Sequence, residues 1–242
     1  MQLPEPEPKE YLNKKALRSI EAQHQVATMQ ITSSEDEQLR LEQLLESSKP
    51  KAPEHCEGMD YLVSTAFRYP PLPYGSRFGT RSRRGILYLS ETIEAVYRES
   101  AFYALAFWDG MTTPASLSDL QQTRNVMAIP VRATHWLDVS KLNRPERNAI
   151  CSPVSWGVSQ AFGDKARDAS IELIRYPSAR MPAVLSEHSN LAVLAPSAVG
   201  DSDKPLIVTT LVIRADEESV RMLDGGRTQV SIPKKDLRKR PF

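Results

Sequence analysis

An arginine, a tyrosine and a glutamate recur at intervals of eleven residues in the first half of the chain, as Arg77, Tyr88 and Glu99. A guanidinium binds phosphate oxygens through parallel hydrogen bonds, and an aromatic ring packs against a planar ligand group. A carboxylate stabilises positive charge that develops in a transition state. Ser178, later in the chain, adds a short hydroxyl donor. These residue types predict a pocket that holds an anion and cleaves an activated glycosidic bond.

The nicotinamide–ribose bond of a dinucleotide fits this set of groups. Its nitrogen is positively charged, so the leaving group departs neutral and needs no general acid. Arg77 would hold the pyrophosphate, Tyr88 would pack on the nicotinamide or its ribose, and Glu99 would stabilise the oxocarbenium-like ribose. Ser178 would donate a hydrogen bond to the ribose or the amide. Arg68, which precedes a proline-rich loop, is a further candidate for the same anion.

Each of these residues also has a purely structural interpretation. Arg77 and Glu99 are compatible with an ordinary ion pair, and Tyr88 with an ordinary strand residue. Ser178 follows a proline and is compatible with a turn. The chain contains no catalytic-triad spacing, glycine-rich dinucleotide fingerprint or P-loop. The residues alone therefore leave the catalytic and the structural interpretations open.

The elements that must position these residues follow from local patterns. Arg77 falls on a loop, Tyr88 on a short apolar strand, and Glu99 on a helix that begins after Ser90 or Thr92. The helical spacing puts Glu99 at the border of the apolar face. We therefore expect its carboxylate to be partly buried and still reach a cleft.

The remaining patterns predict an α+β domain of short strands behind a helical extension. Residues 1–10 are expected to form an extended, mobile tail and residues 11–48 two helices. A Lys/Pro linker places the boundary near residue 55, which gives an extension over 1–55 and a catalytic domain over 56–242. The other predicted elements are strands over 60–69, 86–89, 126–133, 135–139, 170–176, 191–194 and 206–213, helices reaching about Trp108 and spanning 155–169, a hairpin turn at Gly225-Gly226 and a solvated basic tail over 234–242.

Composition and charge are those of an ordinary globular protein. Of the 242 residues, 40% are hydrophobic and 25% charged, and the net charge is +1. Neither nucleic acid nor a membrane surface is therefore expected as a partner. Two cysteines and four scattered histidines predict neither a disulfide scaffold nor a metal site. The absence of a signal-peptide pattern and of a long apolar run predicts a cytoplasmic protein.

The motifs, in their order, resemble the RES-domain family, which is named for its arginine, glutamate and serine. The resemblance covers roughly residues 62–197. Departures lie in the helix before Glu99, in the arginine-rich loop after Arg77, and in the extension, which minimal members lack. The segments that carry the resemblance are Gly75-Ser-Arg77-Phe78, Gly85-Ile-Leu-Tyr88-Leu-Ser90, Glu99, Ile174-Arg-Tyr-Pro-Ser178-Ala-Arg180 and Asn190-Leu-Ala-Val-Leu194.

The resemblance implies a fold similar to that of ADP-ribosyltransferase toxins, with small twisted mixed sheets and flanking helices. It implies a bacterial toxin whose substrate is NAD, degraded by hydrolysis or phosphorolysis without a metal, with arrest of growth. The implied partner is a cognate antitoxin with a helix-turn-helix DNA-binding domain, in a hetero-oligomer that masks the pocket. By position, Arg77 would bind the NAD phosphates or ribose, Tyr88 would line the nicotinamide side, and Glu99 would be the catalytic carboxylate. Ser178 would complete the pocket.

Three functions stay open on the sequence. NAD cleavage by water or inorganic phosphate is the leading hypothesis. ADP-ribosyl transfer to an acceptor protein is the second, because a protein side chain can capture the same oxocarbenium ion. A non-catalytic partner-binding module, in which the helical extension matters most, is the third.

Overall fold

The computed structural model describes residues 2–22, 31–51, 53–71, 73–111, 121–181, 188–200, 205–216 and 218–237. Residues 23–30 of the predicted helical extension and 238–242 of the predicted basic tail lie outside these ranges. The strands are β1 Tyr11–Glu21, β2 Leu87–Ser90, β3 Gln121–Ala133, β4 Trp136–Asp138, β5 Leu173–Pro177, β6 Ser189–Val193, β7 Leu206–Ala215, β8 Ser219–Asp224 and β9 Arg227–Pro233. The α-helices are α1 Glu35–Ser48, α2 Tyr61–Arg68, α3 Ile93–Asp109, α4 Arg144–Ile150, α5 Gly157–Asp168 and α6 Lys234–Leu237.

The strands of the described ranges form one sheet in the order β4-β5-β6-β2-β1-β3-β7-β8-β9. Neighbouring strands are antiparallel, except that β4 and β5 are parallel. This mixed sheet with flanking helices confirms the predicted α+β class. The strands lie in one continuous sheet instead of the small sheets that the resemblance implied.

Three helices each bury an aromatic side chain against a different part of the sheet. Phe67 of α2 packs in a cluster with residues of β1, β2 and β3. Phe102 of α3 packs in a second cluster with residues of β7, β8 and β9, and Phe162 of α5 in a third with residues of β4, β5 and β6. Apolar burial is thus spread along the whole sheet. In the described ranges, every helix is too short or too polar to serve as a membrane span.

Residues 11–21, predicted as helix, form the interior strand β1. This strand pairs with β3 over most of its length and with β2 at Leu17. Ala16 is fully buried, whereas Leu12 is 58% exposed. The apolar spacing fits a helical period as well as an irregular strand, and pairing with two neighbours outweighs a weak local preference. The helix prediction is therefore wrong here, and the expected boundary near residue 55 does not coincide with a division of the sheet.

The second helix predicted for the extension is confirmed as α1. The Ser34 hydroxyl caps it by accepting a hydrogen bond from the Glu37 N–H at 3.2 Å. No side chain of α1 is buried. Its C-terminal end is tied to the domain by Glu46, whose carboxylate forms ion pairs with Lys49 and with Arg68 of α2.

The N-terminal residues 2–10 are extended but attached to the domain, which corrects the expectation of a mobile tail. The Glu7 N–H donates to the Trp136 carbonyl at 2.9 Å, and the Trp136 indole donates to the Lys9 carbonyl at 2.6 Å. At the other end, α6 replaces the first part of the predicted solvated tail, because Leu237 packs in the core.

Residues 60–69, predicted as a strand, form α2 instead. The Asp60 carboxylate caps the helix by accepting from the Leu62 N–H at 2.8 Å. Val63 and Phe67, four residues apart, are its buried side chains, as expected for one face of a helix. A short apolar run does not by itself distinguish a helix from a strand.

The elements that carry the candidate residues are confirmed. Strand β2 leads into α3, whose N-cap is Thr92, with its hydroxyl accepting from the Ala95 N–H at 3.3 Å. Strands β3 to β7 and helix α5 also overlap their predicted ranges. Gly225 and Gly226 both have positive φ between β8 and β9, which is the backbone of the expected tight hairpin turn. The sequence did not predict α4.

We predict that Ala16→Asp prevents stable folding, because it places an unpaired charge in the buried cluster that β1 shares with α2. The cost of such a charge is several kcal/mol, which is a large part of a typical free energy of unfolding of about 5–15 kcal/mol. Leu12→Asp, on the exposed side of the same strand, is the matched control and should change stability by only about 0.5 kcal/mol. Urea denaturation measures both, and equal stability of the two variants would contradict an interior β1.

Candidate active site

A cavity of about 790 Å³ is lined by residues of β1, β2, β3, β5, β6, α3 and the loop over 70–77. Arg77, Tyr88 and Glu99 all line this cavity. Ser178 contacts Glu99 directly through its hydroxyl. The fold therefore brings together four of the five residues that the sequence singled out.

The Glu99 carboxylate is half-buried on α3 and is held at one oxygen by two donors. Its Oε1 accepts from the Ser178 hydroxyl at 2.7 Å and from the Asn190 side-chain amide at 2.7 Å. Among the described residues, no hydrogen bond to Oε2 is formed. One oxygen is thus fixed, while the other can face a ligand in the cavity.

The two donors come from neighbouring strands. Ser178 directly follows β5, and its N–H donates to the His188 carbonyl at 3.0 Å. Asn190 lies on β6, where it pairs with both Tyr176 and Ser90. The Ser90 hydroxyl donates to Asn190 Oδ1 at 2.8 Å, which turns the amide N–H₂ toward Glu99. Sheet pairing therefore sets the direction of both donors.

The Tyr88 hydroxyl is bound to the loop that carries Arg77. It accepts from the buried Phe78 N–H at 3.0 Å and shares a hydrogen bond of 2.8 Å with the Ser76 hydroxyl. Burial raises the pKa of Tyr88, so this hydroxyl stays protonated. Its hydroxyl therefore positions the loop, and its ring remains a wall of the cavity.

Two glycines allow this loop to approach its neighbours. Gly75 has φ +77°, and a Cβ there would lie 2.5 Å from both Gln160 Nε2 and the Gly79 carbonyl oxygen. Gly163 lies on α5, where a Cβ would meet the Phe78 carbonyl oxygen at 2.1 Å. A side chain at either position would displace the loop.

Arg77 is a buried cation that binds backbone carbonyls. Its Nη1 donates to the Ile150 carbonyl at 3.2 Å and to the Ser152 carbonyl at 3.0 Å. Its guanidinium carbon lies 6.0 Å from the centre of the Tyr176 ring. The alternative ion pair with Glu99 does not occur among the ion pairs of the described residues. The remaining donors of Arg77 can therefore bind an anion.

The cavity carries an excess of positive charge. Four arginines line it, namely Arg18, Arg77, Arg124 and Arg180, whereas Glu99 is the one acidic residue among its described lining residues. Burial lowers the pKa of Arg180 and the charge of Glu99 opposes that shift. A cavity with this balance favours a ligand with several negative charges.

The structure does not bring Arg68 to this site. Its Nη1 binds Glu46 at 2.7 Å and its Nε donates to the Pro50 carbonyl at 2.6 Å. It is not among the residues that line the cavity. Arg68 therefore fastens α1 and the following segment to α2.

Sequence reasoning assigned no role to three of the cavity arginines or to Asn190. Asn190 begins one of the motifs that carry the family resemblance, and that motif was the signal that could have identified it. Arg18 was hidden by the wrong helix prediction. Arg180 lies in the same motif as Ser178, and its guanidinium carbon stacks 3.5 Å from the Phe102 ring centre.

Among the described residues, no group of three or more His, Cys, Asp or Glu side chains could hold a metal ion. Cys151 lies next to the carbonyls that Arg77 binds, and burial raises the pKa of its thiol to about 11. A thiol in that state is a poor nucleophile at neutral pH. The titratable group best placed for chemistry is therefore the Glu99 carboxylate.

The model of the RES domain matches residues 52–213, which is more than half of the chain. The match includes Arg77, Tyr88, Glu99 and Ser178, and begins after β1. No curated protein matches the chain. A similar solved structure is the one titled crystal structure of the M. tuberculosis MbcT–MbcA toxin–antitoxin complex, with 14% identity, a TM-score of 0.46, and coverage of 96% of this chain and 90% of that chain.

We predict that Tyr88→Phe lowers the free energy of unfolding by about 1–3 kcal/mol, because the buried Phe78 N–H loses its acceptor. Tyr69→Phe is the control, since Tyr69 is partly exposed and outside the cavity, and it should change stability by about 0.5 kcal/mol or less. Urea denaturation compares the two variants. A Tyr88→Phe protein as stable as the control would show that this hydroxyl does not hold the loop.

Proposed function

Because the chain belongs to the RES-domain family, we propose that it is the toxin of a toxin–antitoxin pair and cleaves the nicotinamide–ribose bond of NAD. One observation carries the proposal. A single carboxylate, Glu99, is fixed at one oxygen by two donors inside a cavity whose other charged residues, among those described, are four arginines. That arrangement suits a ligand with negatively charged phosphates and one carbon that becomes positive during reaction.

The proposed reaction begins with the ligand bound through its pyrophosphate. Arg77 binds the phosphates through the guanidinium N–H groups that do not donate to backbone carbonyls. As the bond between ribose and nicotinamide breaks, the bonding electrons go to the nicotinamide nitrogen, which becomes neutral. The ribose then carries positive charge, which the Glu99 carboxylate stabilises. No proton transfer to the leaving group is needed.

Aromatic side chains supply surfaces for the two flat rings of the dinucleotide. The Tyr88 ring lines the interior of the cavity, and Tyr103 and Phe107, one helical turn apart on α3, line it while more than half exposed. Such rings bind planar groups by stacking and apolar contact. The exposed pair also offers an apolar surface at the cavity that a protein partner can cover.

The acceptor in this proposal is water or inorganic phosphate. After nicotinamide has left, water adds to the ribose carbon and loses a proton to solvent, or phosphate adds through one of its charged oxygens. The outcome is loss of NAD and arrested growth. The proposed partner is a cognate antitoxin with a helix-turn-helix domain, and the proposed compartment is the cytoplasm. A protein side chain as acceptor would make the chain an ADP-ribosyltransferase, and NAD labelled on its adenine separates the two, because only transfer leaves label on a protein band.

We predict that the purified chain releases free nicotinamide from NAD and that Glu99→Gln lowers kcat by roughly 10²–10³-fold or more, because the amide carries no charge to stabilise the ribose cation. Glu94→Gln, an exposed position in the first turn of the same helix, is the matched control and should retain full activity. The measurement is nicotinamide release with and without inorganic phosphate. Phosphate dependence would identify phosphorolysis.

Two outcomes would count against this assignment. Full activity of Glu99→Gln would exclude the carboxylate mechanism. Absence of nicotinamide release by the folded wild-type chain, together with no thermal stabilisation by NAD, would favour a binding role, since a ligand that binds only the native state must stabilise it.

We further predict that Ser178→Ala and Asn190→Ala each lower kcat by about 10–100-fold, because each removes one hydrogen bond to a charged oxygen worth about 1.5–3 kcal/mol. KM should change less, since neither residue is assigned to the phosphates. The double variant should lose less than the product of the single effects, because both donors hold the same oxygen. Ser64→Ala on α2 is the control, and unchanged kcat in both single variants would contradict the positioning role.

A further inference from the structure

Tyr176 of β5 lies on the face of the sheet that carries both donors to Glu99. It stands opposite Asn190 of β6 in the strand register, and the side chains of directly opposed residues share one face. Ser178 follows two residues later, which puts its side chain on that face as well. Only 4% of Tyr176 is exposed, and it lines the cavity. The tyrosine therefore borders the same space as the Glu99 carboxylate.

Contacts that do not involve its hydroxyl hold the Tyr176 ring in place. The fully buried Phe78 ring packs against it nearly edge-on, with the ring centres 4.9 Å apart and the ring planes at 72°. The guanidinium carbon of Arg77 lies 6.0 Å from the centre of the Tyr176 ring. Because a closely packed ring has little freedom to turn, the direction of the hydroxyl is set before a ligand binds.

The hydroxyl of Tyr176 has no hydrogen-bond partner in the described part of the chain. Its oxygen is also not fully enclosed by protein, so a ligand in the cavity can reach it. Burial raises the pKa of Tyr176 well above its ordinary value, as does the charge of Glu99, whereas Arg77 lowers it. The hydroxyl therefore keeps its proton at neutral pH and can act as a donor. Most buried polar side chains are hydrogen-bonded, and the exception at Tyr176 indicates a partner that comes from outside the chain.

We infer that Tyr176 is a ligand-binding residue, whose hydroxyl donates a hydrogen bond to an oxygen of the bound dinucleotide between the pyrophosphate and the reacting ribose carbon. Arg77, assigned to the phosphates, and Glu99, assigned to the ribose, both act on Tyr176 through their charges. The inference deepens the proposed function and rests on it for the identity of the ligand. The accepting oxygen has two chemical sources, a hydroxyl of the nicotinamide-bearing ribose or a phosphate oxygen.

Binding of two nicotinamide-free probes tests this role without requiring catalysis. The probes are ADP-ribose and ADP, which lacks the second ribose, titrated calorimetrically into the wild-type chain and into Tyr176→Phe. Loss of one hydrogen bond should weaken the binding of ADP-ribose by about threefold or more. Equal weakening for both probes assigns the hydrogen bond to a phosphate oxygen, and weakening for ADP-ribose alone assigns it to a ribose hydroxyl.

Stability without ligand separates this role from a structural one. Tyr176→Phe keeps the contacts of the ring with Phe78 and Arg77 and breaks no hydrogen bond among the described residues. Urea denaturation should therefore find the variant as stable as the wild type or more stable, in contrast to Tyr88→Phe. Tyr97→Phe, which alters a partly buried tyrosine of α3 outside the cavity, is the matched control and should bind both probes as the wild type does.

Unchanged affinity of Tyr176→Phe for both probes overturns the inference, as does the absence of probe binding to the wild-type chain. Weaker binding accompanied by a loss of stability in urea also overturns it, because the hydroxyl would then support the fold. These results are distinct from a failure of the proposed function, which is judged by nicotinamide release. A chain that binds ADP-ribose through Tyr176 yet releases no nicotinamide would retain this contact and lose the proposed reaction.

Discussion

Four arginines and a single described acidic residue, Glu99, line one cavity, and this imbalance of charge constrains what the site can bind. Cations withdrawn from water are costly unless they are paired or hydrogen-bonded. Backbone carbonyls compensate Arg77 in part, and Ser19 compensates Arg124. The Pro153 carbonyl and the Phe102 ring contact Arg180. The same cations also lower the cost of keeping one carboxylate partly buried in the cavity.

Strand β1 makes this arrangement possible, because it lies between β2, which carries Tyr88, and β3, which carries Arg124. Without it, β2 and β3 would each present an unpaired edge, and the cavity would lose one wall. The Tyr11 hydroxyl of β1 also donates to Glu91 at 2.7 Å, and Glu91 binds Arg175 of β5. The matched RES domain begins at residue 52. The N-terminal strand is nevertheless an integral part of the sheet that carries the site.

The parts of the fold that could be predicted from the sequence are those encoded locally. Thr92 caps α3 through a contact within one turn, and helical spacing alone put Glu99 at the border of the buried face. Strand β1 could not be recognised, since its apolar residues fit a helical period and its strand conformation depends on two partners distant in sequence. Arg18 was missed with it. The sequence showed Asn190 as part of a motif but not as a hydrogen-bond donor to Glu99, because that contact depends on strand register.

The anchoring of one carboxylate oxygen has a mechanistic consequence. Ser178 and Asn190 both bind Oε1, so rotation of the carboxylate would break two charge-assisted hydrogen bonds. The donors belong to the end of β5 and to β6, and the carboxylate to α3, all of them regular elements or their direct continuation. The direction of Oε2 is therefore set before any ligand binds. Groups oriented in advance need little reorganisation as charge develops. In the proposed reaction, specificity therefore depends on where Arg77 holds the phosphates relative to that fixed oxygen.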